Sequence, residues 1–162
     1  MDYWFSEHEI ALLAADLESK GAAFYKQLQK IAGEAVIADM CAFFAGQEQE
    51  HQAKFLAIAE AHRTSEGKQC YSVDIGQMLR ASMLDLTRLL DDKPSTAQRL
   101  TLVSDSLALA ARVEATAISV YTKMTAEYTS RFSGVLMEVL EEERKHLKMI
   151  QQVQKRFFPS AA

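Results

Sequence analysis

The chain has 162 residues, 49% hydrophobic and 25% charged, ordinary for a soluble globular protein and long enough for one domain with a substantial core. Its formal charge of -4 offers no basic surface of the kind nucleic-acid binding needs, and no run of about eighteen apolar residues exists to span a membrane. Two cysteines, Cys41 and Cys70, fit neither a disulfide framework nor a CxxC metal site. The opening MDYWFSEHEI lacks the basic start and apolar run of a signal peptide, so a cytoplasmic protein with one domain over residues 1–162 is expected.

In chain order, the first helical pattern runs from an N-cap at Ser6 to about Ala32, with Ala14, Leu17, Gly21, Leu28 and Ala32 inward and Gly33 as its stop. A second runs from about Glu34 to His62, with Ile37, Cys41, Phe44, Phe55 and Ile58 on one face. A shorter amphipathic segment follows, carrying Ile75, Met78, Leu79, Met83, Leu86 and Leu90, and Asp91, Asp92, Lys93 and Pro94 end it. Its face either covers the bundle or contributes to an interface between two copies. A fourth pattern spans Ser95 to about Tyr128, and a fifth, capped by Thr129 or Ser130, carries Leu136, Val139, Leu140, Leu147, Ile150 and Val153. The expectation is an all-α bundle: hairpin one over about 6–62, a crossover over about 67–94, and hairpin two over about 95–158. No strand signal competes.

Polar residues interrupt the apolar stripes in a repeating way. Glu18 lies on the inner face of the first helix, with Tyr25 two turns later; Glu114 and Tyr121 repeat that spacing in the fourth. Glu48 and His51, within GQEQEH, extend the inner stripe of the second helix, and Glu143 and His146, within EEERKH, do so in the fifth. Glu18 and Glu114 are 96 residues apart, as are Tyr25 and Tyr121; Glu48 and Glu143 are 95 apart, as are His51 and His146. Such a register indicates an internal duplication of a helical hairpin. Gly33 is equidistant from Glu18 and Glu48, so a reversal there levels both carboxylates at roughly 22 Å from the turn, at 1.5 Å per residue.

Four carboxylates and two imidazoles converging in a core need compensation, because burying a single carboxylate costs several kcal/mol. Two divalent cations would neutralise them. Glutamate and histidine suit iron or manganese, and a Glu and a His one helical turn apart can grip the same ion. Each ion would take one terminal Glu and one His, with two glutamates bridging. The metal ligands expected are therefore Glu18, Glu48, His51, Glu114, Glu143 and His146, with no catalytic residue distinct from that centre. Glu50, Glu141 and Glu142 are expected on solvated faces. Tyr25 and Tyr121 are either core aromatics or hydrogen-bond donors to ligand carboxylates. Asp39 and Asp105 are candidates for holding an imidazole in its tautomer; His8 and His62 carry no functional expectation.

LESKGAAFY with EQEH, then VEATAISVY with EERKH, resembles the ferritin-like superfamily, and within it rubrerythrin-like proteins, over roughly residues 7 to 157. The resemblance implies a ferritin-like four-helix bundle holding two iron ions, with manganese or a mixed pair as variants. It implies an oxidoreductase acting on hydrogen peroxide or dioxygen, with an external electron donor such as a rubredoxin-like protein or a flavin reductase, and a homodimer. Two departures stand out. The four-cysteine rubredoxin site of rubrerythrins proper is missing, and Ala117 stands where many of them carry an extra glutamate. The competing readings are an iron-handling or ferroxidase protein without organic substrate turnover, and a structural metal clamp.

Overall fold

Ser6 and Glu9 start the first long helix by reciprocal capping. The Ser6 hydroxyl accepts from the Glu9 amide at 3.2 Å, and the Glu9 carboxylate accepts from the Ser6 amide at 2.9 Å. The computed structural model describes residues 4–63, 69–90, 99–127 and 133–159. Within them, β1 (Trp4–Ser6) leads into α1 (Glu7–Ile31), whose first turn carries Glu7 and Glu9 at the positive end of the helix dipole. Helix α2 (Ala35–Ala61) follows after a reversal at residues 32–34. Then come β2 (Gln69–Ser72), α3 (Val73–Leu90), α4 (Arg99–Glu127) and α5 (Ser133–Phe157).

Side-chain contacts set the helix directions. His8 Nδ1 lies 2.8 Å from the Ala59 carbonyl and His62 Nδ1 lies 2.5 Å from Glu7, so α1 and α2 run antiparallel. Tyr25 donates to Glu114 and Tyr121 to Glu18, which makes α4 antiparallel to α1. Lys54 meets Glu138 at 2.9 Å, while Gln47 meets His146 at 2.8 Å, which makes α5 antiparallel to α2. The four long helices thus form an antiparallel all-α bundle, and α3 packs on α1 and α4. Ile10, Leu28, Phe44, Leu107, Val139 and Ile150 fill its core, each nearly or wholly without exposure. Leu79 and Met83 of α3 are buried against that core, so this face covers the bundle, while Leu84 points outward. Among the described residues, no helix is long and apolar enough to cross a membrane.

Two short strands depart from the purely helical expectation. Trp4 pairs with Ser72 and Phe5 with Tyr71 in an antiparallel ladder, with a bulge before Ser6. Strands of three and four residues are too short to display a period of two, which is why no signal preceded them. The Phe5 ring lies so close over Gly76 that a Cβ there would sit 2.3 Å from it, so a larger residue would have to displace the ring. Arg80 covers the same ring, its guanidinium carbon 5.5 Å from the centroid. The expected stop at Asp91–Pro94, the start at Ser95 and the caps Thr129 and Ser130 lie outside the described residues.

Candidate metal centre

Glu18 of α1, Glu48 and His51 of α2, Glu114 of α4, and Glu143 and His146 of α5 all lie at mid-bundle height with at most 4% exposure. Helical phase puts them inward; the bundle brings them together. One ligand atom from each of Glu18, Glu48, His51 and Glu143 falls within 4.8 Å of the others, and the same holds for Glu48, Glu114, Glu143 and His146. Glu48 and Glu143 belong to both sets. His51 Nδ1 lies 2.9 Å from Glu143 Oε1, 3.6 Å from Glu18 Oε2 and 3.9 Å from Glu48 Oε2. His146 Nδ1 lies 3.4 Å from Glu48 Oε1, 3.4 Å from Glu143 Oε2 and 3.7 Å from Glu114 Oε1. Each shared carboxylate therefore turns one oxygen toward one imidazole and its second oxygen toward the other. These two Glu/His groups can hold metal ions.

The outer nitrogen of each ring is already engaged. His51 Nε2 lies 2.6 Å from a carboxylate oxygen of Glu142, and His146 Nε2 lies 2.8 Å from the Gln47 side-chain carbonyl. A carboxylate only accepts, so in neutral His51 the hydrogen sits on Nε2 and the Nδ1 lone pair faces inward. The Nδ1 atoms of both rings and Glu143 Oε1 are buried without a hydrogen-bond partner. The 2.9 Å approach of His51 to Glu143 is close but not aligned as a hydrogen bond. Orphaned buried atoms of this kind are rare; His51 Nδ1 and Glu143 Oε1 belong to one Glu/His group and His146 Nδ1 to the other, and a cation in each group would satisfy them.

The electrostatics express the same need for positive charge. Burial, then the charges of Glu143 and Glu18, push the Glu48 carboxyl well above the usual range. Burial and Glu143 do the same to Glu114. Burial opposes the charge on Glu143 too, but contacts with Glu114, His146 and His51 outweigh it and hold that carboxyl below the usual range. For His51, burial acts downward, yet Glu143 and Glu18 raise it to about 10. Protons thus stand in for cations in a cluster with too many carboxylates.

Tyr25 and Tyr121 complete the centre by crossing it. Each hydroxyl donates to a carboxylate of the opposite half, Tyr25 to Glu114 and Tyr121 to Glu18. Burial, followed by the facing carboxylates, raises both phenols, so they stay protonated and keep donating. Between α1 and α4 a cavity of about 20 Å³ abuts the carboxylates, walled by Leu17, Gly21, Ala110, Val113 and Ala117. That is room for about one water-sized molecule. A Cβ on Gly21 would come within 3.3 Å of Glu48 Oε2, so glycine leaves this carboxylate its space.

Some expectations need correction. Asp39 and Asp105 are exposed and hold neither imidazole; Gln47 and Glu142 do. Glu142 was expected in solvent, but its side chain is 22% exposed and bound to His51, while Glu50 and Glu141 are exposed as expected. The missed pair had a signal: each directly precedes an E-x-x-H glutamate, and they are 95 residues apart, the same register as the ligands. Comparison of the chain with family models, curated proteins and solved structures gave no match, so the functional reading rests on the site itself.

Proposed function

We propose that this chain is a ferritin-like, dinuclear carboxylate protein, built from two duplicated hairpins, that binds two iron ions and uses them to reduce hydrogen peroxide or dioxygen. The observation that carries the reading is the pair of shared glutamates, Glu48 and Glu143, each with one oxygen toward His51 and the other toward His146. Glu18 and Glu114 are then terminal ligands. Four carboxylates balance two divalent cations, and hard oxygen donors with imidazole suit iron or manganese. When bound, a pair of Fe(II) ions would supply the two electrons that, with two protons from solvent, turn peroxide into two waters.

The chain's own residues do the rest. Tyr25 and Tyr121 hold the terminal carboxylates in orientation, and Gln47 and Glu142 hold the rings. Leu17, Val113 and Ala117 form an apolar wall beside a space of about 20 Å³ next to the carboxylates, where a small oxidant would approach the ions. The two cysteines in these 162 residues cannot form a four-cysteine electron-transfer site, and the electrons would come from an external donor such as a rubredoxin-like protein or a flavin reductase. Two Fe(II) per chain, added without air and followed by peroxide or by air, test the reading. Fast, repeated peroxide consumption with a supplied reductant is expected. One-time oxidation with many irons retained would replace it with iron handling, and failure to bind iron, or a redox-inert zinc site, would overturn it.

A further inference from the structure

The duplication makes the two ends of the cluster nearly identical, so the places where it fails are informative. Glu18 matches Glu114, Glu48 matches Glu143, His51 matches His146 and Tyr25 matches Tyr121, and the crossed tyrosine bonds preserve that equivalence in space. It breaks at the group behind each imidazole. His51 is held by the carboxylate of Glu142 at 2.6 Å, His146 by the amide of Gln47 at 2.8 Å. The next layer differs in the same sense. Lys54 lies 3.5 Å from Glu142 and 2.9 Å from Glu138, whereas the positions 95 residues away from Lys54 and Glu138 are Met149 and Phe43. One ring is backed by a charged chain that reaches the surface. The other is backed by a neutral amide with apolar neighbours.

We infer that the two metal positions are inequivalent, the one at His51 taking its ion first, because Glu142 backs that imidazole where Gln47 backs the other. A carboxylate accepting from Nε2–H makes Nδ1 a stronger donor than an amide does, and charge-assisted hydrogen bonds are roughly twice as strong as neutral ones. Lys54 offsets part of the Glu142 charge, but at 3.5 Å it lies farther from Glu142 than from Glu138, at 2.9 Å. Glu142 is thus a positioning residue: it acts on the ion only through His51. The inference rests on the dinuclear reading above.

Zinc(II), which is redox-silent, is the probe. Mutual repulsion of two cations separates the binding steps even in a symmetric site, so the discriminating measurement is where the first ion sits. Full-length protein crystallised with one equivalent of zinc should give anomalous density mainly at the His51 position. Glu142→Gln should even out the two densities and weaken the first calorimetric step by about tenfold. Gln47→Glu should even them by strengthening the second step, and the double exchange, Glu142→Gln with Gln47→Glu, should move the first ion to His146. Glu142→Asp should retain the preference for His51. Equal densities in the wild type, first occupancy at His146, or a double exchange that leaves the first ion in place would overturn the inference while sparing the dinuclear reading. A chain that binds no zinc at all would overturn both.

Discussion

The α1–α2 and α4–α5 pairs carry the same ligand pattern, yet they present it to different surroundings. At the seam between α2 and α5, one end has Glu138, Lys54 and Glu142 in a chain of contacts ending on His51. The other end has Phe43 and Met149, which line an open groove of about 420 Å³ with Val36, Met40 and Phe157. The two hairpins thus share the buried Glu, His and Tyr pattern while the residues behind it differ. Ligand positions are constrained by a shared centre, whereas the layer behind them is constrained only by packing.

The hardest way to break the equivalence is to remove a shared ligand. Glu48→Gln should abolish tight binding of both ions, not one, because Glu48 faces both imidazoles. Metal analysis after loading should fall from about two ions per chain to near none. The same change should raise the melting temperature of metal-free protein at neutral pH, by about 3 °C for about 1 kcal/mol, since burial and neighbouring charges disfavour the ionised carboxyl.

Next in size is pH. His51 in the folded chain titrates at about 10 against an ordinary value of 6.5. The raised value means that its stabilising contribution is complete below pH 6.5 and is lost as pH climbs toward 10. The melting temperature of metal-free protein should therefore fall across that window. Metal binding must expel the same proton, so affinity should rise roughly tenfold per pH unit for each proton released, and a pH-stat titration should record that release. No release at pH 8 would contradict the assignment of His51 as a ligand.

Smaller effects sharpen the symmetry. Tyr25→Phe and Tyr121→Phe each strip one donor from a buried carboxylate, at Glu114 and Glu18 respectively. Each should destabilise by about 1–3 kcal/mol in denaturant unfolding, and the two losses should be similar. A large difference between them would show that the halves already diverge within the ligand layer. The least effect belongs to Gly21→Ala. Its new methyl would meet the flexible end of Glu48 at 3.3 Å, and the gain in helix propensity of about 1 kcal/mol offsets that crowding. Unfolding should be nearly unchanged.

Several features were readable without coordinates because they are local. The Ser6 cap needs only its own first turn, and the inward phase of Glu48, His51, Glu143 and His146 follows from the 3.6-residue period of the leucines and phenylalanines around them. The equal register of the two halves is a property of the chain alone. Other features depend on which helix faces which. Tyr25 and Tyr121 were recognisable as companions of a glutamate, but their partner is the glutamate of the opposite half, because antiparallel α1 and α4 bring position 25 level with 114 and 18 level with 121. Glu142 was expected on a solvated face and Gln47 carried no expectation, since a helical wheel reports direction and not what fills the space there. The β1–β2 ladder joins segments more than sixty residues apart, beyond any local period.

By itself, then, the amino-acid order determined the helices, their buried faces and the height of each candidate ligand, because periodicity and caps act within a few turns. The tertiary structure alone decided which oxygen faces which imidazole, which tyrosine serves which carboxylate, and that one ring is held by a charge and the other by an amide. Those outcomes depend on the lateral order and direction of helices, and pairing across a bundle leaves no trace in the period of any single one.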